Sequence, residues 1–178
     1  MFPHTHFSFC PRCGGKRIQP FQKNGVQCPD CHYVYFHNCA SAVSAFIETP
    51  RGIVLVERQQ APKRGFYDLP GGFVAYRESL EEALAREVKE ELNVEIESLR
   101  YLGSFPNRYR FKKVTYFTAD AFFSCRAVSL HSMMPKEEVS RIIIRKAGRI
   151  NLKRIAFDST QKALRKYRAT GENPSCGE

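Results

Sequence analysis

Residues 71–94 read GGFVAYRESLEEALAREVKEELNV, and this stretch decides the fold. Glutamates crowd into it, although the chain as a whole carries a formal net charge of +10. Glu87, Glu90 and Glu91 stand three and four residues apart, or side by side. Like charges at helical spacings of three and four cost about 0.2–0.5 kcal/mol per pair. Such an arrangement calls for a reason.

Ser79 followed three residues later by Glu82 is a capping box and predicts a helix over Leu80–Leu92. Leu80, Leu84, Val88 and Leu92 form its buried stripe. Glu81 and Glu82 fall in the first turn, where the helix dipole favours carboxylates. Glu87, Glu90 and Glu91 have no such local role. At about 100° per residue they gather on one side, beside the edge of the stripe. Three carboxylates held there form a hard, oxygen-rich site suited to Mg²⁺ or Mn²⁺. A solvated acidic face, neutralised by Arg86 and Lys89, is the alternative on spacing alone.

Outward from this helix, CASAVSAFIE and GIVLVERQ read as consecutive strands with a turn at TPRG between them. FYDLPGG is a short strand ending in a diglycine turn, and VEIESLRYLGSF is strand material after the helix. KVTYFTADAFFSCRAV, rich in β-branched and aromatic residues, predicts a long central strand, and SRIIIRK a shorter one. A closing helix is expected over 157–167, with Asp158 or Ser159 as its cap. Residues 171–178 read as a disordered tail.

Near the N-terminus, Cys10-Pro-Arg-Cys13 and Cys28-Pro-Asp-Cys31 are two CxxC pairs with fourteen residues between them. Each offers two thiolates from a tight turn, and two such turns complete a tetrahedral Cys₄ zinc site. Disulfides or redox-active pairs are the alternative; the absence of a secretion signal and of a surrounding βαβ pattern favours zinc. A zinc ribbon is therefore expected over residues 1–36, with the metal supplying much of its folding energy.

The 178 residues suit one ordinary domain plus a small appendage. Hydrophobic residues at 43% and charged ones at 26% are normal for a globular protein. No apolar run of 18 residues is present, which argues against a membrane span, and a cytoplasmic location is the default expectation. The basic excess is compatible with an anionic partner or with a solvated surface.

From Gly72 the chain runs glycine, five residues, Glu78, seven residues, then Arg86-Glu87-Val88-Lys89-Glu90-Glu91. This resembles the Nudix box, G-x5-E-x7-R-E-U-x-E-E-x-G-U with U a bulky apolar residue, and GFYDLPGG resembles its usual lead-in. Asn93 departs from it, standing in place of the second glycine. With the zinc ribbon, the organisation is similar to the NADH diphosphatase-like group and to zinc-ribbon hydrolases of FAD and ADP-ribose. The resemblance implies an α/β fold, an α/β/α sandwich around a mixed sheet over residues 37–170, preceded by the ribbon.

It also implies a hydrolase that cleaves the pyrophosphate of a nucleoside diphosphate linked to another moiety. Glu87, Glu90 and Glu91 then match the residues that hold Mg²⁺ or Mn²⁺, with the Gly71 carbonyl a further ligand and Gly72 beside the substrate. Arg86 matches the arginine that orients the glutamates, and Glu78 the outer acid that secures it. A box glutamate, or Glu137 or Glu138 in the later loop, is the general base. The NADH diphosphatase motif SQPWPFPxS has only a remnant here in GSFPNRYRFKK, so ADP-ribose, FAD and NADH stay open in that order. Arg108 and Tyr109 are the substrate-binding candidates, by stacking on a base or contacting phosphate. A nucleotide is the expected partner. A homodimer stays open, as does the other reading, a zinc-ribbon RNA-associated protein or RNA-end hydrolase. Nucleic acid is not favoured, because no recognisable motif interleaves aromatic with basic residues.

Overall fold

The computed structural model describes residues 7–136 and 138–170. The chain divides into two compact units, Met1–Cys39 and Ala40–Glu178; the sequence put the junction after residue 36. The expected disordered tail at 171–178 lies outside the described residues.

In the first unit three short strands, β1 (Gln19–Phe21), β2 (Gly25–Gln27) and β3 (Val34–Phe36), form an antiparallel sheet in that order. Its apolar interior is slight: Val26 and the thiols of Cys10 and Cys28 are buried. So little burial does not hold a fold of this size without a further constraint.

The second unit is a six-stranded mixed sheet built from β4 (Ala40–Thr49), β5 (Gly52–Arg58), β6 (Tyr67–Asp68), β7 (Ile96–Phe111), β8 (Val114–Ala127) and β9 (Val139–Arg145). The order is β6-β5-β4-β8-β7, with β9 paired antiparallel to β5. Only β4 and β8 run parallel. Although β4 and β5 follow one another across the expected turn, their ladder is confined to Glu48–Ile53 and Thr49–Gly52. Beyond it β4 pairs with β8 and β5 with β9.

The sheet is covered on both faces because the strand period of two sends alternate residues to opposite sides. Val43, Ala45, Ile47, Val54, Val56, Ala121, Phe123 and Cys125 pack with Ala83, Leu84, Val88 and Leu92 of α1 (Leu80–Leu92). Phe46, Ile53, Leu55 and Phe122 face the other way, onto Ala163, Leu164 and Tyr167 of α2 (Asp158–Ala169). The stacked rings of Phe46 and Tyr167, 4.5 Å apart, sit in that second layer. This is the α/β/α sandwich with a mixed sheet.

The α1 helix begins as the capping box dictates. The Ser79 hydroxyl accepts from the Glu82 N–H at 3.2 Å, and the Glu82 carboxylate accepts from the Ser79 N–H at 2.8 Å. It ends at Asn93, whose φ of 57° and ψ of 35° are left-handed, with its N–H on the Lys89 carbonyl. Asparagine adopts that conformation more readily than other non-glycine residues, so the departure from the box leaves the turn intact.

Two expectations need correction. The N-cap of α2 is Phe157, with no side-chain cap bond. Ser159 cannot cap because its hydroxyl is buried and bonds the buried carboxylate of Asp120 instead, where an unpartnered acid would cost more than a cap contributes. And β7 does not stop near Phe105 but continues to Phe111, because its end is paired with β8 rather than with the rest of the sheet.

Candidate active site

Pro70, Gly71 and Gly72 run beside β4, where the N–H groups of Ala45 and Val43 donate to Pro70 and Gly72 carbonyls at 2.8 and 2.9 Å. Gly71 has φ 142°, and any Cβ there would strike the Val43 carbonyl, so only glycine allows this approach. A Cβ on Gly72 would in turn collide with the carboxylate of Glu87. The diglycine therefore lets the loop lie flat against both the sheet and the acidic edge of α1.

Glu91 accepts a hydrogen bond from the Gly71 N–H at 3.0 Å. Burial pushes its carboxyl up to about 8, against the pull of that bond. Burial also raises Glu87, which Arg86 opposes. Arg86 organises the rest of the edge. Its Nε and Nη2 donate to the two oxygens of Glu78 at 2.8 and 2.9 Å, and Nη1 donates to Glu87 at 2.8 Å and Glu90 at 3.0 Å. The remaining Nη2 bond reaches the Phe73 carbonyl at 3.0 Å. The bidentate grip holds the Glu78 carboxyl down at about 2.

Glu87, Glu90 and Glu91 open on a cleft of about 330 Å³. Of the residues singled out from sequence, Gly71, Gly72, Glu87, Glu90, Glu91, Tyr109 and Glu138 line it. Glu138 arrives because the loop before β9 is fastened to the end of α1: Met134 and Lys136 N–H groups donate to the Leu92 and Glu91 carbonyls at 3.0 and 2.8 Å. Asn93 joins in, its side chain bonding the Ser132 carbonyl and Lys136 at 3.2 Å each. Arg86 and Glu78 stand behind the cleft wall. Arg108 is on the opposite face of β7 from Tyr109, its guanidinium 5.8 Å from the Phe117 ring. Glu137 lies outside the described residues.

The cleft is also lined by residues that sequence reasoning passed over. Asp68 is buried, bonded by Thr160 at 2.9 Å and by the Leu69 N–H at 3.0 Å, with Arg58 3.7 Å away. Burial pushes its carboxyl up to about 6. Asp120 is bonded by Thr118 and Ser159. A lone acid within the apolar run of β8 was a signal that could have found Asp120. Arg58 has its guanidinium 5.0 Å from the Phe157 ring. The ring of Tyr109 meets Phe73 edge-on at 5.4 Å and Phe157 at 5.7 Å. The cleft thus combines the hard oxygens of Glu87, Glu90 and Glu91 with the flat rings of Phe73, Tyr109 and Phe157.

In the N-terminal unit, Cys10, Cys13, Cys28 and Cys31 bring their sulfur atoms within 4.8 Å of one another. Cys10–Cys31 and Cys13–Cys28 are each 3.7 Å apart. Four thiolates at about 2.3 Å from one zinc ion have edges of roughly 3.8 Å, so the cluster suits zinc in size and chemistry. Of the glutamates, Glu87 and Glu90 share the Arg86 Nη1 donor, and Glu91 accepts from the Gly71 N–H. Among the described residues, no helix is long and apolar enough to cross a membrane.

A carboxylate-edged helix packed under a diglycine loop, on an α/β/α sandwich, defines the Nudix class of fold and site. The family model for the NUDIX domain matches residues 40–146, more than half of the chain, and the chain belongs to that family. Among curated relatives, the NAD-capped RNA hydrolase NudC of Vibrio atlanticus (strain LGP32) is 31% identical over 112 residues, 63% of this chain and 41% of that protein. NudC of Haemophilus influenzae (strain PittGG) is 34% identical over 121 residues, 67% of this chain and 46% of that protein. The crystal structure of a NUDIX hydrolase from Nitrosomonas europaea superposes with a TM-score of 0.74 at 25% identity, covering 93% of this chain and 94% of that one. The chain spans less than half the length of these curated relatives.

Proposed function

We propose that the protein is a metal-dependent pyrophosphohydrolase acting on a nucleoside diphosphate linked to another moiety, and yielding a nucleoside monophosphate and a second phosphate product. One observation carries this reading: the carboxylates of Glu87, Glu90 and Glu91 share a single cleft with the rings of Phe73, Tyr109 and Phe157. Pyrophosphate with its cation fits the carboxylates, and a planar base fits the rings.

Glu87, Glu90 and Glu91 hold Mg²⁺ or Mn²⁺, with the Gly71 carbonyl beside them. A divalent cation held there would supply charge neutralisation for the pyrophosphate and would lower the pKa of the attacking water. Arg86 keeps Glu87 and Glu90 oriented and is itself fixed by Glu78. Glu138, in the same cleft, is the general base. Tyr109 stacks on the base, and Gly72 leaves room for the phosphates. Zinc at Cys10, Cys13, Cys28 and Cys31 serves the fold of the ribbon.

Adenine-containing pyrophosphates are the substrate class: ADP-ribose, FAD and NADH. The relatives' names add NAD-capped RNA, in which the same pyrophosphate is linked to a longer chain. Incubation with each compound and Mg²⁺ or Mn²⁺, followed by product analysis, tests the reading. AMP together with a second phosphate product is expected from the small compounds, and nicotinamide mononucleotide together with 5′-monophosphate RNA from the capped RNA. Intact substrate in every reaction would overturn it.

A further inference from the structure

We propose that the distal end of the β7–β8 hairpin, residues 108–117, is a binding arm for a single RNA strand whose 5′ nucleotide occupies the cleft. The proposal rests on the nucleotide-hydrolase reading of that cleft and names what the linked moiety can be.

The arm stands clear of the sheet. The pairing of β4 with β8 begins at Ala40 and Thr118, so Val114–Phe117 are bonded through the ladder to β7 alone. Every residue from 110 to 117 is exposed. Among them Phe111, Val114, Tyr116 and Phe117 present large apolar side chains, 42–53% exposed, to solvent. An isolated two-stranded ribbon gains little stability from such residues, so their placement calls for a ligand.

The charge pattern names its chemistry. Arg108, Arg110, Lys112 and Lys113 fall within these ten residues, with no aspartate or glutamate among them. Lys112 lies over the Phe111 ring at 5.4 Å, in the row of rings that starts at Tyr109, while Arg108 lies over the Phe117 ring at 5.8 Å on the opposite face of β7. Cations beside exposed rings match a polymer with phosphates along its backbone and flat bases beside them. Stacking on the rings requires unpaired bases, which selects a single strand over a duplex. A second copy of this chain fits worse, since a symmetric contact here would bring like charges together.

The geometry links arm and cleft. The Tyr109 ring contacts Phe73 and Phe157 at the cleft, and it also meets Phe111 further along the strand. The Tyr109 and Phe111 rings are within 16° of parallel, with centroids 6.4 Å apart, close to twice the roughly 3.4 Å spacing of stacked bases. A strand leaving the cleft would thus pass from ring to ring along β7.

Phe111→Ala and the double variant Lys112→Glu/Lys113→Glu test this, both changing exposed side chains that leave the core untouched. Wild type and variants are compared on ADP-ribose or NADH and on an adenine-dinucleotide-capped RNA of about ten nucleotides, within the site size of such surfaces. Each variant is expected to fall about tenfold or more in kcat/KM on the capped RNA, as removal of a stacking ring or of a phosphate partner gives, while small substrates stay within about twofold. The salt dependence of RNA binding should become shallower by about 0.7 in log–log slope for each phosphate the variant no longer neutralises. Unchanged cleavage of both substrates, or an equal loss on both, would overturn the arm. So would a shift from dimer to monomer in sedimentation with capped-RNA cleavage intact, which would make the arm a contact between copies. If wild type cleaves no substrate at all, the cleft reading fails, and anisotropy of labelled RNA still decides the arm: loss of binding in the lysine variant supports it, equal binding refutes it.

Discussion

Arg86 grips Glu78 with two parallel hydrogen bonds, Nε to Oε1 at 2.8 Å and Nη2 to Oε2 at 2.9 Å, while its other nitrogen reaches forward to Glu87 and Glu90. The guanidinium is therefore a spacer that keeps two carboxylates at a fixed angle. Arg86→Lys preserves the charge but cannot form the fork. We expect kcat to fall by about 10–100-fold, the usual cost of losing a partner that orients metal ligands. Steady-state kinetics at saturating Mg²⁺ checks this; a variant with wild-type kcat would show that the fork does not position the site.

The capping box at Ser79 makes a separate claim on stability. Ser79→Ala removes the acceptor for the Glu82 N–H. A loss of about 1 kcal/mol in unfolding free energy is expected from the missing cap. The residue lies outside the cleft, so the midpoint in urea should move with little change in kcat.

How far the sequence could be read depended on how local each signal was. The bounds of α1 followed from the cap at Ser79 and an apolar stripe inside the thirteen residues after it, and the structure reproduces them. The four cysteines were legible because their chemistry has few alternatives. By contrast, Thr160 and Asp68 meet across 92 positions of sequence, and Ser159 and Asp120 across 39. No periodicity links such pairs. Arg108 and Tyr109 are neighbours in the chain, but on a strand neighbours face opposite ways, and only Tyr109 enters the cleft. The continuation of β7 to Phe111 was hidden because its partner lies in the next strand rather than in its own composition.

Zinc in the ribbon gives a third expectation. Purified protein should contain about one zinc per chain, the stoichiometry of a Cys₄ site. Cys10→Ser should release it and loosen the N-terminal unit, since that unit buries little besides Val26, Cys10 and Cys28. Amide exchange should rise across residues 7–39 while the strands of the second unit keep their protection. Metal-free protein prepared without chelator, with a folded ribbon, would remove zinc from the account.

The last expectation couples cation, proton and stability at Glu91. Burial raises its carboxyl from an ordinary 4.5 to about 8 in the cation-free fold. A raised acid stabilises the fold below its unfolded pKa, and that contribution is lost as pH climbs through about 8. A divalent cation must displace the proton, so its stabilising effect grows across the same window in which the cation-free protein weakens. At a hundredfold excess over Kd the gain is about 2.7 kcal/mol. Mg²⁺ or Mn²⁺ should therefore raise Tm more at pH 8 than at pH 6 in the wild type. Glu87→Gln/Glu91→Gln removes two of the three carboxylates and should abolish most of the shift at both values. Equal shifts in the two proteins would mean that the acidic edge of α1 is a solvated face, and the cation would have to be sought elsewhere.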